Sequence, residues 1–87
     1  MDLVGALKSK IVETLGLREV RSEDLTEDTS FFDDGLGLDS IDILELAVMV
    51  EEDYGVVIDN RELGEKVFIT IGTLARYILE TRSGEGP

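Results

Sequence analysis

The chain has 87 residues, enough for one small domain with a modest core, and carries a formal net charge of −12. It contains no cysteine and no histidine, which excludes disulfides and thiolate metal sites and removes the commonest general base and metal ligand. The acidity argues against nucleic acid and anionic membrane surfaces as partners, and no apolar run approaches the length of a membrane span.

The charge is unevenly placed. From Ser22 to Asn60, a stretch of 39 residues, there are thirteen Asp and Glu and no Lys or Arg. Such a run across the middle of a domain points to a surface that meets something basic. With 43% hydrophobic residues the chain is rich enough in apolar side chains to fold despite this acidity. The N-terminus lacks a signal-peptide pattern, so a cytoplasmic location is expected.

In chain order, Leu3, Val4, Leu7, Ile11, Val12 and Leu15 recur at steps of three and four and predict an amphipathic helix that stops at Gly16. Residues 17 to 38 form a long connection, tied to the core by Val20, Leu25, Phe31, Phe32, Leu36 and Leu38, with a short helical turn at Ser22-Glu23-Asp24-Leu25. The second helix runs from Ser40 to Tyr54 and ends at Gly55. Asp39 is its N-cap, and Asp42 can reach back in a variant of the capping box. Ile43, Leu46, Ala47, Val50 and Tyr54 form its core stripe. Ile41, Leu44 and Val48 form a second stripe, which one side of a helix in so small a bundle cannot also bury. Either the long loop covers this stripe, or it is an exposed apolar strip rimmed by Glu45, Glu51 and Glu52, as a docking surface would be.

Val56, Val57 and Ile58 read as a short strand or an extended linker. Asn60 to Lys66 predict a short third helix broken near Gly64. Thr70 caps a last helix whose Ile71, Leu74, Ala75 and Ile78 face the core, with Tyr77 beside them. The expected architecture is all-α, a four-helix bundle with a long first loop and a short third helix, occupying residues 1–82, with residues 83–87 as a disordered tail.

Several chemistries fail on spacing. A calcium-binding EF-hand loop needs glycine at its sixth position and glutamate at its twelfth; Gly35 at the sixth puts Ile41 at the twelfth, and Gly37 puts Ile43 there. No specific metal site is expected. Neither glycine precedes a Lys-Ser/Thr pair, so a phosphate-binding P-loop is absent as well. Ser40 has no histidine to activate it, which makes it a serine acted upon rather than one that acts, and the chain is not expected to be an enzyme. A hydroxyl at the start of a helix is well placed to carry a phosphoester, because free amides and the helix dipole favour an anion there.

Asp39-Ser40-Ile41-Asp42, preceded by Leu36-Gly37-Leu38 and followed by Glu45-Leu46 and Glu51-Glu52-Asp53-Tyr54-Gly55, resembles an acyl carrier protein. The similarity extends from Glu23-Asp24-Leu25 upstream to Thr70-Ile71-Gly72 and Tyr77-Ile78 downstream. Ile41 stands where that family usually has leucine, and Asp59 where it commonly has proline. The resemblance implies that Ser40, with Asp39 beside it, receives 4′-phosphopantetheine from coenzyme A through a phosphopantetheinyl transferase. The arm's thiol would then hold acyl groups as thioesters for fatty-acid, polyketide or related biosynthetic enzymes. It also implies that Ile41, Asp42, Leu44, Glu45, Val48, Glu51 and Glu52 meet partner enzymes through basic patches on those enzymes, with the carrier itself a monomer. The alternatives are a carrier for amino acids, against which Asp39 speaks, and an unmodified acidic interaction domain in which Ser40 only belongs to the helix cap.

Overall fold

In a computed structural model, the structure describes residues 3–18, 20–32 and 35–84. Helix α1 (Leu3–Leu15) is followed by a short 3-10 turn (Ser22–Asp24), helix α2 (Ser40–Tyr54), the short helix α3 (Arg61–Val67) and helix α4 (Ile71–Gly84). The expected four-helix bundle is what forms. Helix α1 packs against α2, α4 and the 3-10 turn, and α3 packs against α4.

The core is apolar throughout. Leu7 and Ile11 of α1 meet Leu46, Met49 and Val50 of α2 and Ile71, Leu74, Ala75 and Ile78 of α4. The long loop adds Leu25, Phe31 and Leu38, and the Phe31 ring meets Phe68 edge-on at 5.5 Å between centroids. On α2, Met49 joins the buried set, while Ile43, Ala47 and Tyr54 are only partly buried. The periodicity located the centre of the core face but not its edge.

The long loop owes its order to backbone pairing with the start of α4. Ser30 and Thr70 form an isolated antiparallel bridge. Around it, Phe31 N donates to Ile69 O (3.1 Å), Ile71 N to Thr29 O (3.1 Å) and Gly72 N to Glu27 O (2.7 Å). The last two bonds satisfy amides at the start of α4 that no helix can satisfy for itself. Thr70 and Thr73 complete that cap reciprocally, each hydroxyl accepting from the other's backbone N–H.

Of the two forms expected for Val56 to Ile58, the structure takes the extended linker: Val56 is buried in the core and Val57 lies exposed, with no strand among the described residues to pair with. Two other expectations need correction. The third helix is not broken at Gly64. It starts one residue after Asn60, whose Oδ1 accepts from Leu63 N at 2.7 Å, and continues to Val67. The Arg61–Glu65 and Glu62–Lys66 pairs, together with burial of Val67 and partial burial of Leu63, hold it through the glycine. Finally, α4 runs through Gly84, two residues into the segment expected to be a tail, because nothing stops a helix before that glycine. Residues 85–87 lie outside the described residues.

Candidate functional site

The loop that delivers Ser40 is held on both sides. Leu36 N donates to Ser30 O (2.9 Å), Gly37 N to Phe32 O (2.8 Å) and Leu38 N to Phe31 O (2.8 Å). Leu38 is buried, which pins the chain immediately before the helix. Asp39 then adopts an extended conformation and caps α2. Its Oδ1 accepts from Asp42 N at 2.9 Å, and Asp42 Oδ2 accepts from Asp39 N at 3.3 Å. The reciprocal box is therefore complete with Asp at both positions. Because these two carboxylates do the capping, the Ser40 hydroxyl is not needed for it, and Ser40 stands exposed as the first residue of the helix.

Beside Ser40 a groove of about 790 Å³ opens between α2 and α3. That is within the range of small-molecule sites, roughly 300–1,000 Å³. Its walls are mostly apolar, from Ile43, Leu44 and Ala47 of α2, Ile58 of the linker and Phe68 after α3. Phe32, half-exposed, lines it from the long loop. The sequence reading did not find this groove, because its walls come from segments far apart in the chain. Gly64, which reads in the sequence as a helix break, lies on its α3 wall.

The second apolar stripe of α2 is uncovered. Ile41 is 66% exposed, Leu44 64% and Val48 50%, so among the described residues the long loop does not shield them. Glu45, Glu51 and Glu52 are exposed around them, and none forms an ion pair within the described part of the chain. Leu44 lines the α2–α3 groove and also a shallower groove toward α1, where it meets Glu45, Val48 and Glu52. Asp42 differs from the other expected docking carboxylates in being half-buried and committed to the cap.

The far end of α2 is braced rather than free. Gly55 ends the helix in the left-handed conformation, φ +68°, which glycine adopts without strain. Lys10 reaches from α1 to Asp53 and lies over the Tyr54 ring. The hydrogen bond and charge of Asp53 hold the Lys10 ammonium above its usual range, and burial pushes the Tyr54 phenol up. Among the described residues no three acidic side chains gather closely enough to hold a metal ion, and no helix is long and apolar enough to cross a membrane.

Residues 5–78 match the family model described as the phosphopantetheine attachment site. The chain belongs to that family. It is a phosphopantetheine carrier domain, and its prosthetic group is covalently attached 4′-phosphopantetheine. The arrangement around Ser40 fits such a group. A phosphodiester needs an accessible hydroxyl, and the start of α2 offers one, at the end of the helix whose dipole favours an anion. An arm held at Ser40 would have the α2–α3 groove beside it. As a carrier domain, the chain implies a phosphopantetheinyl transferase and further enzymes as its partners.

Proposed function

We propose that Ser40 is the residue that holds the arm, and that the chain is an acyl carrier protein of a fatty-acid, polyketide or related biosynthetic system in the cytoplasm. The observation that carries this reading is the exposed Ser40 hydroxyl, released from capping duty by the Asp39–Asp42 box and set between an apolar groove and an uncovered apolar strip. In attachment, the Ser40 oxygen forms a new bond to the phosphorus of coenzyme A that bears the pantetheine. The diphosphate bond of coenzyme A breaks, adenosine 3′,5′-bisphosphate leaves, and the hydroxyl proton passes to a base of the transferase. Once bound, the arm supplies a terminal thiol that carries acyl groups as thioesters.

The chain's own contribution is to position and to dock. The loop bonds and the cap fix where the arm is anchored. Ile41, Leu44 and Val48 give a partner enzyme a small apolar contact that sets orientation. Glu45, Glu51 and Glu52, which lack internal cation partners among the described residues, draw in a basic patch and raise the rate of encounter. Asp42 contributes its charge to this field while serving the cap.

The test is intact mass after incubation with coenzyme A and a phosphopantetheinyl transferase. The wild-type chain should gain one phosphopantetheine, mapped to Ser40 by peptide digestion, and Ser40→Ala should gain none while keeping its helical circular dichroism. A wild-type chain that stays unmodified would favour an acidic interaction domain on this fold, and an arm found on another residue would move the site.

A further inference from the structure

The first cation after the acidic central stretch stands in the wall of the groove beside Ser40. No Lys or Arg occurs between Arg21 and Arg61. Arg61 opens α3 as Ser40 opens α2, and both residues line the α2–α3 groove. Arg61 is the one cationic side chain among the residues that line it.

In the unmodified chain most of the hydrogen-bonding capacity of Arg61 is unused. Its Nε donates to Glu65 Oε1 at 3.3 Å, and its terminal nitrogens donate to nothing among the described residues. The side chain is 93% exposed, so it can turn without disturbing the core. A guanidinium is planar and presents paired N–H groups that match two oxygens of a phosphate. It can therefore keep Glu65 on Nε and still offer its outer edge to an anion.

The start of α2 creates the demand for such a cation once Ser40 is modified. Asp39 and Asp42 already place two carboxylates there, and neither has a cationic partner among the described residues. A phosphodiester on Ser40 adds a third negative charge, while the helix dipole supplies only about half a positive one. Neither α2 nor the chain from Ser22 to Asp39 contains a basic residue that could offset the remainder. The opposite wall of the groove does, in Arg61.

Building on the assignment of Ser40 as the anchor, we propose that Arg61 is a positioning residue for the prosthetic group, its guanidinium pairing with the phosphodiester of the arm. The pair reduces the repulsion between that phosphate and the capping carboxylates. It also biases the root of the arm toward α3 and leaves the Ile41, Leu44 and Val48 strip of α2 to the partner enzyme.

The experiment compares wild type, Arg61→Gln and Arg61→Lys, each before and after treatment with coenzyme A and a transferase, with peptide mass confirming one arm at Ser40. The phosphorus NMR resonance of the phosphodiester and the melting temperature are measured at low and high sodium chloride. Arg61→Gln also breaks the contact with Glu65, so each variant is referred to its own unmodified form, which cancels that loss. The wild-type resonance should move with salt several-fold more than that of Arg61→Gln. At low salt, attachment should change the melting temperature of Arg61→Gln less favourably than that of wild type, by about 1–4 °C, and high salt should remove the difference. Arg61→Lys should recover part of it, because a point charge still meets the phosphate. An equal salt response and an equal thermal effect of attachment in wild type and Arg61→Gln would overturn the pairing and leave Arg61 to an acidic group on a partner enzyme. A lysine variant no better than the glutamine one would overturn its basis in charge. A wild-type chain that gains no arm at Ser40 would overturn both this inference and the assignment of the anchor, whereas correct attachment with no effect of Arg61 would overturn this inference alone.

Discussion

Lys10 Nζ donates to Asp53 Oδ2 across 3.1 Å, joining the middle of α1 to the last turn of α2. The same ammonium lies 5.8 Å from the centroid of the Tyr54 ring. A cation from outside the acidic central stretch thus closes one end of the helix whose other end bears Ser40.

This contact makes stability sensitive to alkaline pH. Both Lys10 and Tyr54 titrate higher in the folded chain than in the unfolded one, where lysine and tyrosine titrate near about 10.4 and about 10. The folded state therefore holds its protons more tightly, and stability falls as pH rises from those unfolded values through the folded ones. Urea midpoints should be flat with respect to these two groups between neutral pH and about 9.5, then decline. Lys10→Met should reduce the slope of that decline, and an unchanged slope would show that the ion pair does not persist in solution.

Leu44 and Leu46 lie two residues apart on α2 and should respond oppositely to the same substitution. Leu46 has no exposed surface, and Leu46→Ala should cost about 2–5 kcal/mol. Leu44 is 64% exposed, and Leu44→Ala should change stability by no more than about 0.5 kcal/mol while impairing partner binding. Denaturant unfolding of the two variants, with modification kinetics of the second, separates core from docking strip.

Asp39→Ala removes the side-chain acceptor for Asp42 N and should lower stability by about 1 kcal/mol. Ser40→Ala should lower it much less, since Ser40 is exposed and Asp39 still caps the helix. If thermal melts placed Ser40→Ala below Asp39→Ala, the hydroxyl would have a structural role that the cap geometry denies it.

Glu45→Lys should slow transfer of the arm most at low ionic strength. Glu45 is exposed beside the apolar strip, and its attraction to a basic partner is screened beyond roughly 10 Å at 0.1 M salt. The initial rate of modification, measured against sodium chloride, should show wild type and variant converging as salt rises. A constant ratio would mean that Glu45 acts by contact and not through its long-range field.

The sequence was most informative where the signal is local. Spacing of apolar residues and the residues at the helix ends located α1, α2 and α4 to within a residue or two, and the Asp39–Asp42 box could be read directly from its interval of three. The second stripe followed from counting, since a helix with apolar residues on two faces cannot bury both in a small bundle; that the long loop does not cover it depends on where that loop packs. What the sequence did not reveal depends on distant segments. Gly64 looked like a helix break because propensity favours that reading, yet capping by Asn60 and burial of Val67 override it. The groove has walls from α2, the linker, α3 and Phe68, and no periodic pattern marks it. Pairing of the long loop with the start of α4 is carried by backbone atoms, which every residue shares.

That pairing gives the long loop an unusual standing among connections. The amides of Phe31, Ile71 and Gly72 can exchange with solvent deuterons only when the loop parts from the start of α4, since their acceptors lie across that seam. Parting them would also expose the buried Phe31 ring and its contact with Phe68. Exchange at these three positions should therefore track that of the innermost amides of α4 and be slow together with them. A segment whose described residues form neither a regular helix beyond one short turn nor a strand would then keep its deuterium clock in step with the core.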